Sequence, residues 1–135
     1  MATRGVRNNN PLNIRHSSDK FVGEKLVSDD KNFKQFESME YGLRAAFRIL
    51  RTYNRYGRVT VRSIIRRWAP ETENKTQAYI NAVCKATGLS ETSVVLVDNK
   101  DRLFSLVTAM SHIESLYTPS VGELERAYDM AFVYK

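Results

Sequence analysis

Cysteine is almost missing from the chain. Cys84 stands alone among 135 residues, which excludes a disulfide framework and a zinc site built on thiolates. Histidine is nearly as scarce: His16 and His112 lie far apart, so no metal and no cofactor are expected. No apolar run approaches the ~18 residues that a membrane helix needs. Residues 1–15 are polar and Asn-rich, without the apolar stretch of a secretory signal. The six glycines are scattered, so no loop is built to cradle a phosphate. No Ser, His and Asp stand in the order that a nucleophile elbow requires. Cys84, beside Val83 in an apolar stretch, reads as an inert core thiol.

What remains is ordinary globular material, 42% hydrophobic and 27% charged, and its length fits one domain over residues 1–135. Its charge is uneven. Residues 1–70 hold 15 Lys and Arg against 6 Asp and Glu, and residues 71–135 hold 6 against 9, for an overall net of +6. A basic surface speeds encounters with polyanions: nucleic acid, an anionic membrane, or a bacterial wall.

Residues 1–20 read as irregular around Asn8-Asn9-Asn10-Pro11. Strands are expected at Lys25–Val27 and Phe33–Phe36, joined through Ser28-Asp29-Asp30-Lys31 as a hairpin. Ser38 caps a helix to about Asn54, with Met39, Leu43, Ala46, Phe47, Leu50 and Tyr53 on one stripe. Thr60 caps a short helix that ends at Trp68, before Ala69-Pro70. A third helix runs from about Lys75 to Thr87, with Tyr79, Ile80, Val83 and Cys84 inside and Gly88 at its end. Ser90 caps a turn towards Leu96. Asp101–Tyr117 forms a long helix with Leu103, Phe104, Val107, Met110 and Ile113 near its buried side. Ser120 and Glu123 have capping-box spacing for a last helix to about Phe132.

Arg44, Arg48, Arg51 and Arg55 share one helix face, and Arg58, Arg62, Arg66 and Arg67 follow. That face is either solvated or turned to a polyanion. A nucleic-acid surface calls for interleaved aromatics or a helix-turn-helix. Ile64, Ile65 and Trp68 instead read as core, so nucleic acid is the least favoured partner.

Asn8, Asn10 and Asn13 offer amide donors and acceptors that suit sugars, or that bond their own backbone in turns. Glycosidic cleavage needs a carboxylic acid in an apolar setting. Glu24, Glu37, Glu40, Glu71 and Glu73 are the carboxylates near aromatic neighbours. Glu40 lies in a helix's first turn, where the dipole favours the charged form.

The run Arg4-Gly5-Val6-Arg7-Asn8-Asn9-Asn10-Pro11-Leu12-Asn13-Ile14-Arg15 resembles the opening of a family of phage and prophage proteins known as virion structural or lysozyme-like proteins. The resemblance continues through Phe33–Phe36, Tyr41-Gly42-Leu43-Arg44-Ala45, Tyr53, Arg67-Trp68-Ala69-Pro70, Glu73-Asn74-Lys75-Thr76 and Tyr79, and so covers residues 4–90. That family is similar, more distantly, to wall glucosaminidases and lytic transglycosylases of the lysozyme superfamily. In those enzymes a segment like Asn10–Arg15 follows the helix carrying the catalytic Glu. Here residues 1–9 hold no carboxylate, and Phe21 stands where many relatives have Trp.

The resemblance implies a mainly helical α+β, lysozyme-like domain with one small N-terminal hairpin. It implies peptidoglycan glycan strands as partner, alongside other virion proteins. Synthesis would be in the bacterial cytoplasm without a signal peptide, with action at the wall or in the virion. Asn8, Asn10, Asn13, Arg15, Trp68 and Asn74 would line the sugar site, with Trp68 and Tyr79 more a support than a stacking platform. Either Glu40 or Glu73 supplies the acid for muramidase or transglycosylase chemistry, or the domain keeps the cleft without the chemistry.

Overall fold

The computed structural model describes residues 2–133. Its elements are α1 (Arg4–Arg7), α2 (Met39–Arg55), α3 (Val61–Trp68), α4 (Glu73–Thr87), α5 (Lys100–Ser115), α6 (Val121–Tyr128) and a π-helical turn (Asp129–Val133). The chain is thus mainly helical, as its periodicity implies. No helix among the described residues is long and apolar enough to cross a membrane.

Most helix ends follow local side-chain chemistry. The Ser38 hydroxyl accepts from the Tyr41 N–H and starts α2. Thr60 with Ser63, and Ser120 with Glu123, close capping boxes at α3 and α6. Gly88 ends α4 in the left-handed region at φ 76°. Helix α4 starts two residues before the expected Lys75, because the Thr72 hydroxyl accepts from the Lys75 N–H. Helix α5 stops before Tyr117, at a left-handed Leu116 with φ 52°.

Two expectations need correction. Residues 1–20 are not wholly irregular: Thr3 caps the helical turn α1. The expected hairpin is also not built of two strands. Segment 32–37 makes isolated antiparallel bridges on both sides, Arg15 with Phe33 and Glu24 with Phe36. The expected strand Lys25–Val27 takes part only at Lys25, whose N–H donates to the Gln35 carbonyl. Leu26 and Val27 are 94% and 79% exposed. Local bonds replace the ladder there. The Ser28 hydroxyl donates to the Phe33 carbonyl, and the Asp30 carboxylate takes the Asn32 and Phe33 N–H groups.

Helix α2 is the centre of the core. Leu43, Phe47 and Leu50 pack against Ile64, Ile80, Leu103, Leu106 and Met110, all buried. Phe47 also meets Phe104, Tyr128 and Phe132 with centroids at 5.9, 5.9 and 6.2 Å. Helices α6 and α2, α4 and α5, and α1 and α5 are packed pairs.

The α1–α5 pair joins the N-terminal segment to the end of α5. The Thr3 hydroxyl donates to the Ser115 carbonyl at 2.6 Å, and the Ser115 hydroxyl donates to the Pro11 carbonyl at 2.7 Å. Leu12 and Ile14 then enter the core. Two glycines make room for this. A Cβ on Gly5 would strike the Ser115 hydroxyl, and one on Gly42 would strike the Asn9 carbonyl oxygen. A main-chain atom cannot swing aside as a side chain can. Gly42→Ala is therefore expected to destabilise the protein by about 1–3 kcal/mol, read in a urea titration. An unchanged midpoint would show that the Asn9 turn is not packed on α2.

Candidate active-site cleft

The Asn-rich segment turns twice through left-handed backbone, at Asn9 (φ 51°) and Asn13 (φ 53°), a conformation that Asn tolerates better than most residues. Between them Asn10 is wholly buried. Its amide donates to the Ile14 and Lys34 carbonyls and its oxygen accepts from the Ile14 N–H. Asn8 is also buried, donating to Asp30 Oδ2 and accepting from the Gln35 amide. These two side chains are fully used in holding the segment. They deliver Asn13 and Arg15 to the rim of a cleft of about 810 Å³.

The cleft is walled by Phe21, Phe33, Ile49, Tyr53 and Trp68, with Arg15, Arg67, Asp19 and Glu71 at polar positions. Trp68 is half-buried and meets Tyr53 edge-on at 6.1 Å. Arg15 lies over Phe33 at 5.1 Å and is 3.9 Å from Glu71, which also faces Lys75 at 3.7 Å.

One wall carboxylate differs from the rest. Glu114, at the end of α5, lines the cleft and is half-buried. The Asn13 amide donates to its Oε1 at 3.2 Å and to its main-chain carbonyl at 3.1 Å. The Tyr79 hydroxyl donates to its Oε2 at 3.0 Å. Burial pushes the Glu114 carboxyl above its ordinary value, against the lowering effect of the Asn13 and Tyr79 bonds and of Arg15. Burial and the neighbouring Glu114 charge push the Tyr79 phenol well up, so Tyr79 is a fixed donor here. Asn13 Oδ1 is buried without a hydrogen-bond partner, which is costly unless a ligand or water completes it. A left-handed asparagine with an unsatisfied acceptor thus meets a desolvated carboxyl in the cleft.

The roof is held by a buried ion pair. Lys34 is wholly buried, and its ammonium donates to both Glu24 oxygens at 3.1 Å and to the Asp19 carbonyl at 2.8 Å. Burial alone would raise the Glu24 carboxyl, but bonds from the Phe21 N–H, Lys34 and Lys20 hold it below its ordinary value. Asp19 and Phe21 are placed over the cleft by this pair.

The structure does not bring the other sequence-derived residues here. Glu40 stands in the first turn of α2, bonded to Arg126 at 3.2 Å. Glu73 is exposed in the first turn of α4, in a separate depression beside Arg66 and Gln77. Asn74 is exposed on α4 and does not line the cleft. Of the expected set, Asn13, Arg15 and Trp68 reach it, and Tyr79 supports it from behind.

No family model matches the sequence. A search of curated proteins finds Protein P5 of Pseudoalteromonas phage PM2, 38% identical over 136 aligned residues, 97% of this chain and 83% of the relative. The chain belongs to the phage Protein P5 family. The alignment to Protein P5 runs through nearly the whole chain, so Asn13 and Glu114 both fall within it. The likeness therefore continues past residue 90, where recognisable motifs in the sequence stop.

Proposed function

We propose that this P5-family protein engages peptidoglycan glycan strands in the cleft and cleaves them with Glu114 as general acid. The observation that supports this reading is the desolvated Glu114 carboxyl, held on both oxygens by Asn13 and Tyr79. A glycosidic oxygen must receive a proton as its bond to the anomeric carbon breaks, and a carboxyl that burial makes hold its proton more tightly is suited to supply it. The aromatic walls fit the apolar faces of sugar rings, and the unpaired Asn13 Oδ1 would accept from a sugar hydroxyl or acetamido N–H.

The other cleft carboxylates, Glu71 and Asp19, are exposed, and Glu71 is paired with Arg15 and Lys75. With one desolvated carboxyl, the same group serves twice. Glu114 gives its proton to the leaving oxygen. The resulting carboxylate then takes the proton of the sugar's own primary hydroxyl as that oxygen closes on the anomeric carbon. No water is consumed, and the fragment carries an internal anhydro ring. This is lytic transglycosylase chemistry rather than hydrolysis.

Incubation with purified sacculi is the test. Release of soluble muropeptides with anhydro ends is expected. Pelleting with sacculi and no release would establish the second reading, a wall-binding virion component. That reading is favoured by kinship with a phage protein.

Tyr79 contributes to the pH at which Glu114 gives up its proton, after burial and the Asn13 bond. Its hydroxyl favours the ionised form of Glu114. Tyr79→Phe is therefore expected to move the alkaline limb of the activity profile to higher pH, because the acid keeps its proton longer. An unmoved limb with a uniformly lower rate would make Tyr79 a packing residue only.

A further inference from the structure

The arginine ridge is not used by the cleft chemistry, and the structure gives it a shape. Residues 41–70 contain eight arginines, no lysine, and no aspartate or glutamate. They form the α2–α3 hairpin. Arg44 and Arg48 are partly spent, donating to the Met130 and Ala131 carbonyls, and Arg62 pairs with Glu91 at 2.7 Å. Arg51, Arg55, Arg58 and Arg66 have no acidic partner within 4 Å among the described residues. They line two depressions, of about 410 Å³ with Arg51 and Arg55 and about 450 Å³ with Arg58 and Arg66.

The tip of the hairpin, residues 56–60, holds Arg58 and connects the two helices that carry the other three arginines. Tyr56 is 81% exposed there, flanked by Arg55 and by Gly57-Arg58. The tip is pinned. The Asn54 amide donates to the Arg58 and Val95 carbonyls at 3.1 and 3.3 Å, and its oxygen accepts from the Val97 N–H at 2.9 Å. Tyr56 is thus held outward, where it packs against nothing that would explain an aromatic ring.

We propose that the α2–α3 hairpin is a nucleic-acid surface: Arg51, Arg55, Arg58 and Arg66 take backbone phosphates, and Tyr56 stacks on an unpaired base. Guanidinium forks match phosphate oxygens in pairs, and base–aromatic stacking needs no particular sequence. A lipid surface is the lesser fit. Polybasic lipid patches draw on lysine as readily as arginine and gain from an apolar face beside the charge. The tip offers one exposed phenol, with Arg55 and Arg58 beside it in the sequence.

The proposal is independent of the cleft reading. Its test is fluorescence anisotropy of the whole chain with labelled single-stranded and duplex DNA of random sequence. Binding at about 50 mM salt is expected to weaken at least about tenfold by about 200 mM. Arg55→Ala with Arg58→Ala should weaken it about tenfold or more and lower the salt slope by about two. Tyr56→Ala should weaken single-strand binding about fivefold or more and spare the duplex. Circular dichroism checks that each variant folds, and Glu114→Gln should bind as wild type. Absence of binding at about 50 mM salt, or arginine variants that bind as wild type, would overturn the proposal. So would pelleting with phosphatidylglycerol vesicles that depends on the same arginines while DNA is ignored.

Discussion

Glu114→Gln is expected to make the protein more heat-stable at neutral pH while costing it about 10²–10⁴ in glycan cleavage. The two effects have one cause. Burial raises the Glu114 carboxyl in the folded protein above its value in the unfolded chain. The unfolded chain therefore ionises first as pH rises, near the ordinary glutamate value of about 4.3. From there to the folded value the native state loses ground, and above it the full penalty persists. Gln keeps the shape and has no charge to desolvate. Its oxygen accepts from the Asn13 amide, and its own amide donates to the Tyr79 hydroxyl. The gain in melting temperature should be present at pH 7 and vanish below about pH 4. A destabilised variant at neutral pH would mean that ionised Glu114 is a structural ion.

The second large effect is at Lys34. Lys34→Met leaves the Glu24 carboxylate buried without its main partner and the Asp19 carbonyl without a donor. Removing one member of a buried pair costs about 3–5 kcal/mol. Adding Glu24→Gln should recover part of that loss, because no unpaired charge remains. The Phe21 N–H keeps an acceptor in the Gln oxygen. Glu24 also fixes the sign of the acid response. Its folded value is lowered, so its contribution is full above the unfolded value and is lost as pH falls. A double variant no more stable than Lys34→Met alone would show that packing, and not the stranded charge, sets the cost.

The sequence made the helices legible because their signals are local. Ser38, Thr60, Gly88 and the Ser120–Glu123 pair each act within one turn of the element they bound. The Asn-rich run was legible as unusual, but its division of labour was not. Asn8 is consumed by partners more than twenty residues away and Asn10 by Lys34 as well as nearby Ile14, while Asn13 reaches α5 across about a hundred residues.

Glu114 was hidden for the same reason. The buried stripe Leu103, Val107, Met110 continues at helical spacing to position 114, where an acid interrupts it. A carboxylate on an apolar stripe was the available signal. Ile113 takes the next place on the expected stripe, and the candidate acids Glu24, Glu37, Glu40, Glu71 and Glu73 all precede α5. Glu40 and Glu73 stood nearer the recognised motifs, but each lies in the first turn of its helix. The hairpin failed as a strand pair because Ser28 and Asp30 satisfy the backbone that a ladder would have used.

Glu114, brought by α5 against the N-terminal Asn13, is the acid of the cleft in the proposed reaction. The most direct measurement is muropeptide release from sacculi by four proteins side by side: wild type, Glu114→Gln, Glu40→Gln and Glu73→Gln. The account expects release by wild type and by the Glu40 and Glu73 variants at similar rates, and none above background by Glu114→Gln. Undiminished release by Glu114→Gln, or loss with Glu40→Gln or Glu73→Gln instead, would contradict it.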